Sequence, residues 1–173
     1  MKLLTTIRNQ DFLPNAAIVD VDNFRERNAV RAVLINDAGN IILLSTHKHG
    51  YHKLPGGGIE DNESIKSALA RELMEEVGCK AEVITELGLI VEYRDFMNLK
   101  QTSYCYLAKQ IGDQVESALE EDEIAEGLQE TKVDSIDEAI RLMENDKPDN
   151  LEGQFMQKRD LHFLKTAKLY LNN

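Results

Sequence analysis

The 173-residue chain predicts an α+β fold, because two kinds of patterning alternate along it. Runs of β-branched and apolar residues bounded by turn signals stand at 29–35, 41–44, 83–93, 102–109 and 128–133, and read as strands. Segments with helix caps and stop signals stand at 63–77, 135–143 and 154–171. This length suits one domain built on a single core.

The chain opens on Met1-Lys2-Leu3-Leu4, but Thr5, Thr6, Arg8, Asn9, Gln10 and Asp11 interrupt any signal-type apolar run. No stretch approaches the roughly 20 apolar residues of a membrane helix. A cytoplasmic protein with no membrane partner is expected. Residues 1–27 are expected to form an N-terminal extension that packs a strand on the same domain, and residues 28–173 the domain proper with its C-terminal helix.

Ala29-Val30-Arg31-Ala32-Val33-Leu34-Ile35, the turn-like Asp37-Ala38-Gly39-Asn40 and Ile41-Ile42-Leu43-Leu44 predict a β-hairpin. Asn62 or Asp61 can cap a helix from about Glu63 to Val77, which Gly78 stops in the left-handed C-terminal position. Strands at Val83–Tyr93 and Thr102–Lys109 join around Asp95–Lys100. The stretch from Gly112 to Glu126 is acidic and poor in large apolar residues, so it reads as a solvated loop with at most a helical turn. A strand at Leu128–Val133 follows, and Ser135 with Glu138 predicts a capping box opening a helix to Met143. Past Pro148, an amphipathic helix spans Gln154 to Leu171, with Phe155, Leu161, Leu164 and Leu169 facing the core.

Hydrophobic residues make up 42% and charged residues 29% of the chain, the proportions of an ordinary globular protein. The formal charge of −11 excludes general nucleic-acid binding, which needs basic surface to displace counterions from phosphates. A small anionic substrate would need locally recruited cations. Cys79 and Cys105 lack CxxC spacing, so two reduced, buried thiols are expected rather than a disulfide or a zinc site.

The chemistry concentrates in the helix after the glycines. Glu72, Glu75 and Glu76 fall at i, i+3 and i+4 and project from one side. Leu69, Leu73 and Val77, flanked by Ala70 and Met74, form a stripe turned away from them. Like charges on adjacent turns repel, and a hard divalent cation converts that repulsion into binding. Magnesium suits the arrangement, since it bridges one or two carboxylates to substrate phosphates. Lys66 and Arg71 as surface partners of an exposed acidic face are the alternative account of the cluster.

The complete spacing decides between them. Gly57, five residues, Glu63, seven residues and then Arg71-Glu72-Leu73-Met74-Glu75-Glu76-Val77-Gly78-Cys79 resembles the Nudix box. The one departure is Cys79, where the family places Val, Ile, Leu or Ala, and a buried thiol behaves as a small hydrophobe. The box covers residues 57–79, and the hairpin, the Leu54-Pro55-Gly56-Gly57-Gly58 run and the later strand and helix follow the family's order.

The resemblance implies a Nudix-like α/β/α sandwich with a mixed β-sheet between helices. It implies hydrolysis of a diphosphate bond in a nucleoside diphosphate linked to another group, with a nucleoside triphosphate, oxidised or not, as the default small-molecule nucleotide substrate. Magnesium, for which manganese can substitute, would be held by Glu72, Glu75, Glu76 and a backbone carbonyl near Gly57. Glu63 and Arg71 would pair to orient these carboxylates. The general base is expected to be Glu72 or Glu75, with Glu120, Glu121, Glu123 and Glu126 of the acidic loop as other sources. Lys53, His49 and Tyr51 are the expected substrate contacts, alongside His47, Lys48 and His52. A homodimer is the default assembly. A nucleotide-sensing module without turnover and a diphosphate isomerase on the same fold are the competing functions; an intact box disfavours both.

Overall fold

The structure is a computed structural model in which residues 1–172 are described. Its elements in chain order are β1 (Leu3–Arg8), β2 (Arg25–Ile35), β3 (Ile41–Thr46), β4 (Tyr51–Lys53), α1 (Ile65–Glu76), β5 (Lys80–Arg94), β6 (Leu99–Ile111), α2 (Glu121–Glu126), β7 (Leu128–Val133), α3 (Ile136–Asn145) and α4 (Leu151–Leu171). The strands form one mixed sheet in the order β1-β5-β6-β2-β3-β4, with β7 paired to β3.

Side chains alternate across this sheet and create two apolar layers. On one face Val30, Ala32, Leu34, Ile42, Leu44, Tyr106 and Ala108 pack against Ala68, Leu69 and Leu73 of α1 and Val77 at its C-cap. On the other, Val33, Ile41, Leu43, Cys105 and Leu107 pack against Ile136, Ala139 and Ile140 of α3 and Phe155, Phe163 and Leu164 of α4. The result is an α/β/α sandwich. Both cysteines are free and buried, one in each layer. β1 lies parallel to β5, from Leu3 opposite Leu89 to Arg8 opposite Tyr93.

The expected hairpin is shorter than its sequence suggests. β2 meets β3 only at Leu34–Ile42 and Ile35–Ile41, while its whole length runs parallel to β6, from Arg25 opposite Leu99 to Ile35 opposite Lys109. The rest of β3 pairs with β4 and β7. The edge of β2 thus freed is taken up by the glycine run: the amides of Val30 and Ala32 donate to the carbonyls of Gly57 and Pro55 at 2.9 and 3.0 Å.

Two helix starts also differ from expectation. α1 begins at Ile65, where Ser64 Oγ accepts the Ser67 amide at 3.1 Å. Asn62 instead sits in the left-handed region at φ 65°, a conformation that asparagine tolerates in turns. Glu63 therefore lies on the loop before the helix. α4 begins at Leu151, since Asn150 Oδ1 accepts the Gly153 amide at 2.7 Å and so opens the helix three residues earlier. Ser135 caps α3 through the Glu138 amide, but the Glu138 carboxylate reaches Asp134 N–H rather than closing a reciprocal box. Phe155 and Leu164 are buried and Leu161 partly so, whereas Leu169 is 67% exposed in a last turn that outruns the core.

Among the described residues no helix is long and apolar enough to cross a membrane.

Candidate active site

The loop between β4 and α1 is fixed before any functional side chain is added. Its amide at Leu54 donates to Asp160 Oδ2 at 2.9 Å, its carbonyls accept from β2, and Ile59 N–H returns to the Asn28 carbonyl at 3.0 Å. Gly56 adopts φ 126°, and a Cβ there would lie 2.2 Å from the Val30 carbonyl oxygen. Gly57 carries the sharper constraint: a Cβ would fall 2.3 to 2.5 Å from the carboxylate atoms of Glu72. Only a bare backbone lets loop and helix approach this closely.

Arg71 organises the acidic side of α1. Its Nε and Nη2 grip both oxygens of Glu63 at 3.1 Å, Nη1 donates to Glu72 and Glu75 at 2.9 Å, and Nη2 also reaches the Gly58 carbonyl at 2.9 Å. The fork shape of guanidinium makes this many-sided grip possible. The Arg71 hydrogen bonds hold the Glu63 carboxyl below its usual range. Glu72 is 8% exposed and its carboxyl is raised, chiefly by burial and against the pull of Arg71.

Glu76 is drawn further inward than Glu72 and Glu75. It is 4% exposed, accepts the Gly56 amide, and faces Lys53 Nζ at 3.3 Å. Burial pushes its carboxyl up to about 7 despite Lys53 and the Gly56 amide, both of which favour the charged form. Helical geometry explains its place, since Glu76 lies four residues beyond Glu72 and one before Val77, at the margin of the apolar stripe.

These groups line a cavity of about 390 Å³. Glu72, Glu75 and Glu76 form its floor with Gly56, Gly57 and Gly58. Glu120, Asp122, Glu123 and Glu126 approach from the α2 side, and Glu152 and Met156 from α4. Arg27, Arg31 and Lys53 supply the cations. Arg31 is 4% exposed, its Nη1 donates to the Val30 carbonyl at 2.8 Å, and its Nε has no partner. Burial lowers its pKa to about 10, so it remains cationic at neutral pH.

Of the expected substrate contacts, only Lys53 borders this cavity. Tyr51 is buried, donates to Met156 Sδ at 3.3 Å, and packs against Gly153, so it backs the wall that Met156 forms. His49 stacks on Tyr51 with ring centroids 6.3 Å apart and lies 3.4 Å from Asp149, outside the lining. His52 is held by Asp146 at 3.0 Å, and His47 by Gln129 at 2.9 Å. Glu121 does not reach the lining, whereas its neighbour Asp122 does. Arg27, Arg31, Glu152 and Met156 were missed by sequence reasoning. Arg31 left a signal, as the one charge inside an otherwise apolar strand segment from Ala29 to Ile35.

The donor set fits a hard divalent cation. The oxygens are carboxylates on adjacent helical turns, and the space beside Glu72 is one that a Cβ at position 57 would fill. Among the described residues no three His, Cys, Asp or Glu side chains converge on one point. Arg71 holds Glu72 and Glu75 and Lys53 faces Glu76, and the Gly57 carbonyl accepts the Val30 amide with one lone pair to spare.

The NUDIX domain family model matches residues 25–153. An RNA pyrophosphohydrolase of Ectopseudomonas mendocina is 38% identical over 71 residues, which is 41% of this chain and 43% of that protein. An RNA pyrophosphohydrolase of Pasteurella multocida is 38% identical over 61 residues, 35% of this chain and 30% of that protein. The matches thus span less than half the length of these relatives. Among solved structures, a NUDIX hydrolase from Nitrosomonas europaea superposes with a TM-score of 0.62 at 18% identity, covering 84% of this chain and 90% of that one. The E. coli ORF135 protein superposes at 0.60 with 20% identity, covering 84% and 91%. At such identities the superpositions speak for the fold alone. With the family model spanning most of the chain and containing the box that builds the cavity floor, the chain belongs to the Nudix family.

Proposed function

We propose that the chain is a magnesium-dependent pyrophosphohydrolase that cleaves the diphosphate bond of a nucleoside diphosphate linked to another group. One observation carries this reading: the backbone of Gly57 abuts the Glu72 carboxylate inside a cavity that also holds Glu75, Glu76 and three cations. A structural acidic patch has no use for that approach.

Glu72, Glu75 and Glu76, with the free lone pair of a loop carbonyl, would hold the metal. When bound, magnesium or manganese neutralises phosphate oxygens and stabilises the departing phosphate. The protein's own part is positioning and proton transfer. Arg71 orients Glu72 and Glu75 and is itself braced by Glu63. Lys53 balances Glu76. Glu72 or Glu75 takes the proton of the attacking water, and Glu120, Glu123 and Glu126 across the cavity are the second source of a base.

A nucleoside triphosphate remains the default substrate. The relatives' names add RNA as a second substrate class; with a net charge of −11 the chain would hold it through the phosphates in the cavity rather than through a basic surface. The buried thiols of Cys79 and Cys105 are in keeping with a cytoplasmic setting. The test is a turnover screen across nucleoside triphosphates, diphosphate sugars, dinucleotides and 5′-triphosphorylated or capped RNA, reading phosphate and pyrophosphate release. Turnover that needs magnesium or manganese and disappears with chelator supports the assignment. Tight nucleotide binding without turnover under any metal overturns it.

A further inference from the structure

β2 is buried on both faces around its centre, and every neighbour of Arg31 in the run from Ala29 to Ile35 is apolar. The other buried arginines are neutralised. Arg94 pairs with Glu92 and Glu152 at 3.0 and 2.9 Å, and Arg159 pairs with Asp160 and Glu92 at 2.7 and 3.5 Å. Arg31 is as buried as a core residue, yet among the described residues it has no carboxylate within ion-pairing distance; its recorded bond is to its neighbour's carbonyl and its Nε is orphaned. Burying a guanidinium with no bonded counter-ion is costly, and the nearby charges of Asp160 and Glu76 offset that cost only in part. A fold keeps such a group where an anion arrives to complete it.

The cavity says which anion. Arg31 borders it on the β2 side and the α1 carboxylates on the other. The flanking residues Val30 and Ala32 hold the glycine loop through their amides, so Arg31 sits on the rigid part of the sheet. We propose that Arg31 is the substrate's phosphate anchor: its guanidinium fork binds non-bridging oxygens of the diphosphate and orients the scissile bond toward the Glu72–Glu75 wall. Arg27, four residues and so two pleat repeats earlier on the same strand, lies over Gly58 and donates to Gln101 at 2.8 Å, and adds a second cation to the cavity. This rests on the pyrophosphohydrolase reading and goes beyond it by assigning the orienting residue outside the box.

The experiment compares wild type, Arg31→Met and Arg31→Lys in the full chain. Calorimetry with imidodiphosphate and magnesium measures binding of a diphosphate that cannot be cleaved, thermal unfolding measures the fold, and the best substrate of the screen separates KM from kcat. Methionine fills the same space without a buried charge. The expected result is a melting temperature equal to or above wild type, imidodiphosphate affinity reduced at least about tenfold, and KM raised by a similar factor. Lysine keeps the charge but not the fork, so it recovers part of the affinity.

A structural role for Arg31 predicts the reverse: lower stability and unchanged affinity, which overturns the proposal. Should Arg31→Met fail to fold, Arg31→Lys carries the test, and imidodiphosphate affinity equal to wild type in that variant also overturns it. Wild-type turnover with unaltered binding in the variants defeats the anchor alone. Wild type that neither binds imidodiphosphate nor turns over any substrate defeats the anchor and the pyrophosphohydrolase reading together.

Discussion

Asp160 Oδ2 accepts the Leu54 amide at 2.9 Å, fastening the C-terminal helix to the segment that enters the glycine loop. The same carboxylate is paired with Arg159, and both are fully buried. Through Glu92 the cluster continues to Gln101 and from there to Arg27 at the cavity. Helix α4 is therefore part of the site's frame, although it brings few groups to the cavity itself.

Asp160→Ala should accordingly destabilise the protein by about 3–5 kcal/mol, because it strands the Leu54 amide and leaves Arg159 with Glu92 alone. Urea unfolding measures this. A loss below about 1 kcal/mol would mean that the cluster is not holding helix and loop together.

Gly57→Ala separates function from stability. The inserted methyl meets the far end of the flexible Glu72 side chain, so the fold should lose little, on the order of 1 kcal/mol or less. Glu72 must swing away, and turnover with magnesium should drop at least about a hundredfold. Activity near wild type in a folded variant would remove the close approach from the account of the site.

Glu75→Gln should cost turnover at least about a hundredfold while leaving the melting temperature within a few degrees, since Glu75 is only partly buried. Glu76→Gln should also lose activity, but its effect on stability is pH-dependent.

The sign follows from the raised Glu76 carboxyl. Below its ordinary value of 4.5 both folded and unfolded chains carry the proton; between 4.5 and about 7 the unfolded chain has released it and the folded chain has not, so stability falls as pH rises. Above about 7 the loss levels off at about 3 kcal/mol in the metal-free protein. Urea titrations at pH 5 and pH 8 in chelator should show this decrement in wild type and its removal in Glu76→Gln. Equal slopes for the two proteins would refute it.

Cys79→Val should leave activity within about twofold and stability within about 1.5 kcal/mol, because the thiol is a packed apolar group in the α1 layer. Enzyme assay and thermal melting decide it.

Much of the fold was legible because its periodicities are clean. β7 occupies the residues that its pattern marks, and Gly78 takes the left-handed turn that ends α1, at φ 70°. The helix cap was misplaced because Asn62 and Ser64 are both good capping residues, and only the φ of Asn62 separates them. The shortened hairpin was invisible in sequence, since period-2 patterning reports which faces are buried and not which neighbour takes the hydrogen bonds. The same limit applies at the site. Spacing placed Glu72, Glu75 and Glu76 on one helix, but the burial of Glu76 depends on Lys53 and Gly56, which arrive from the preceding loop. Arg27 and Arg31 stand outside the box, and their meeting with the α1 carboxylates is a product of the parallel sheet and the loop laid across its strand.

That loop has borrowed its backbone order from the middle of a sheet. Where a third strand would otherwise continue, Val30 and Ala32 lend their amides to Pro55 and Gly57. Such a segment cannot breathe like a surface loop, and these two amide protons should exchange with solvent as slowly as those of the deepest strands. Damage to the sheet interior far from any phosphate would then surface first as lost catalysis, well before the protein unfolds.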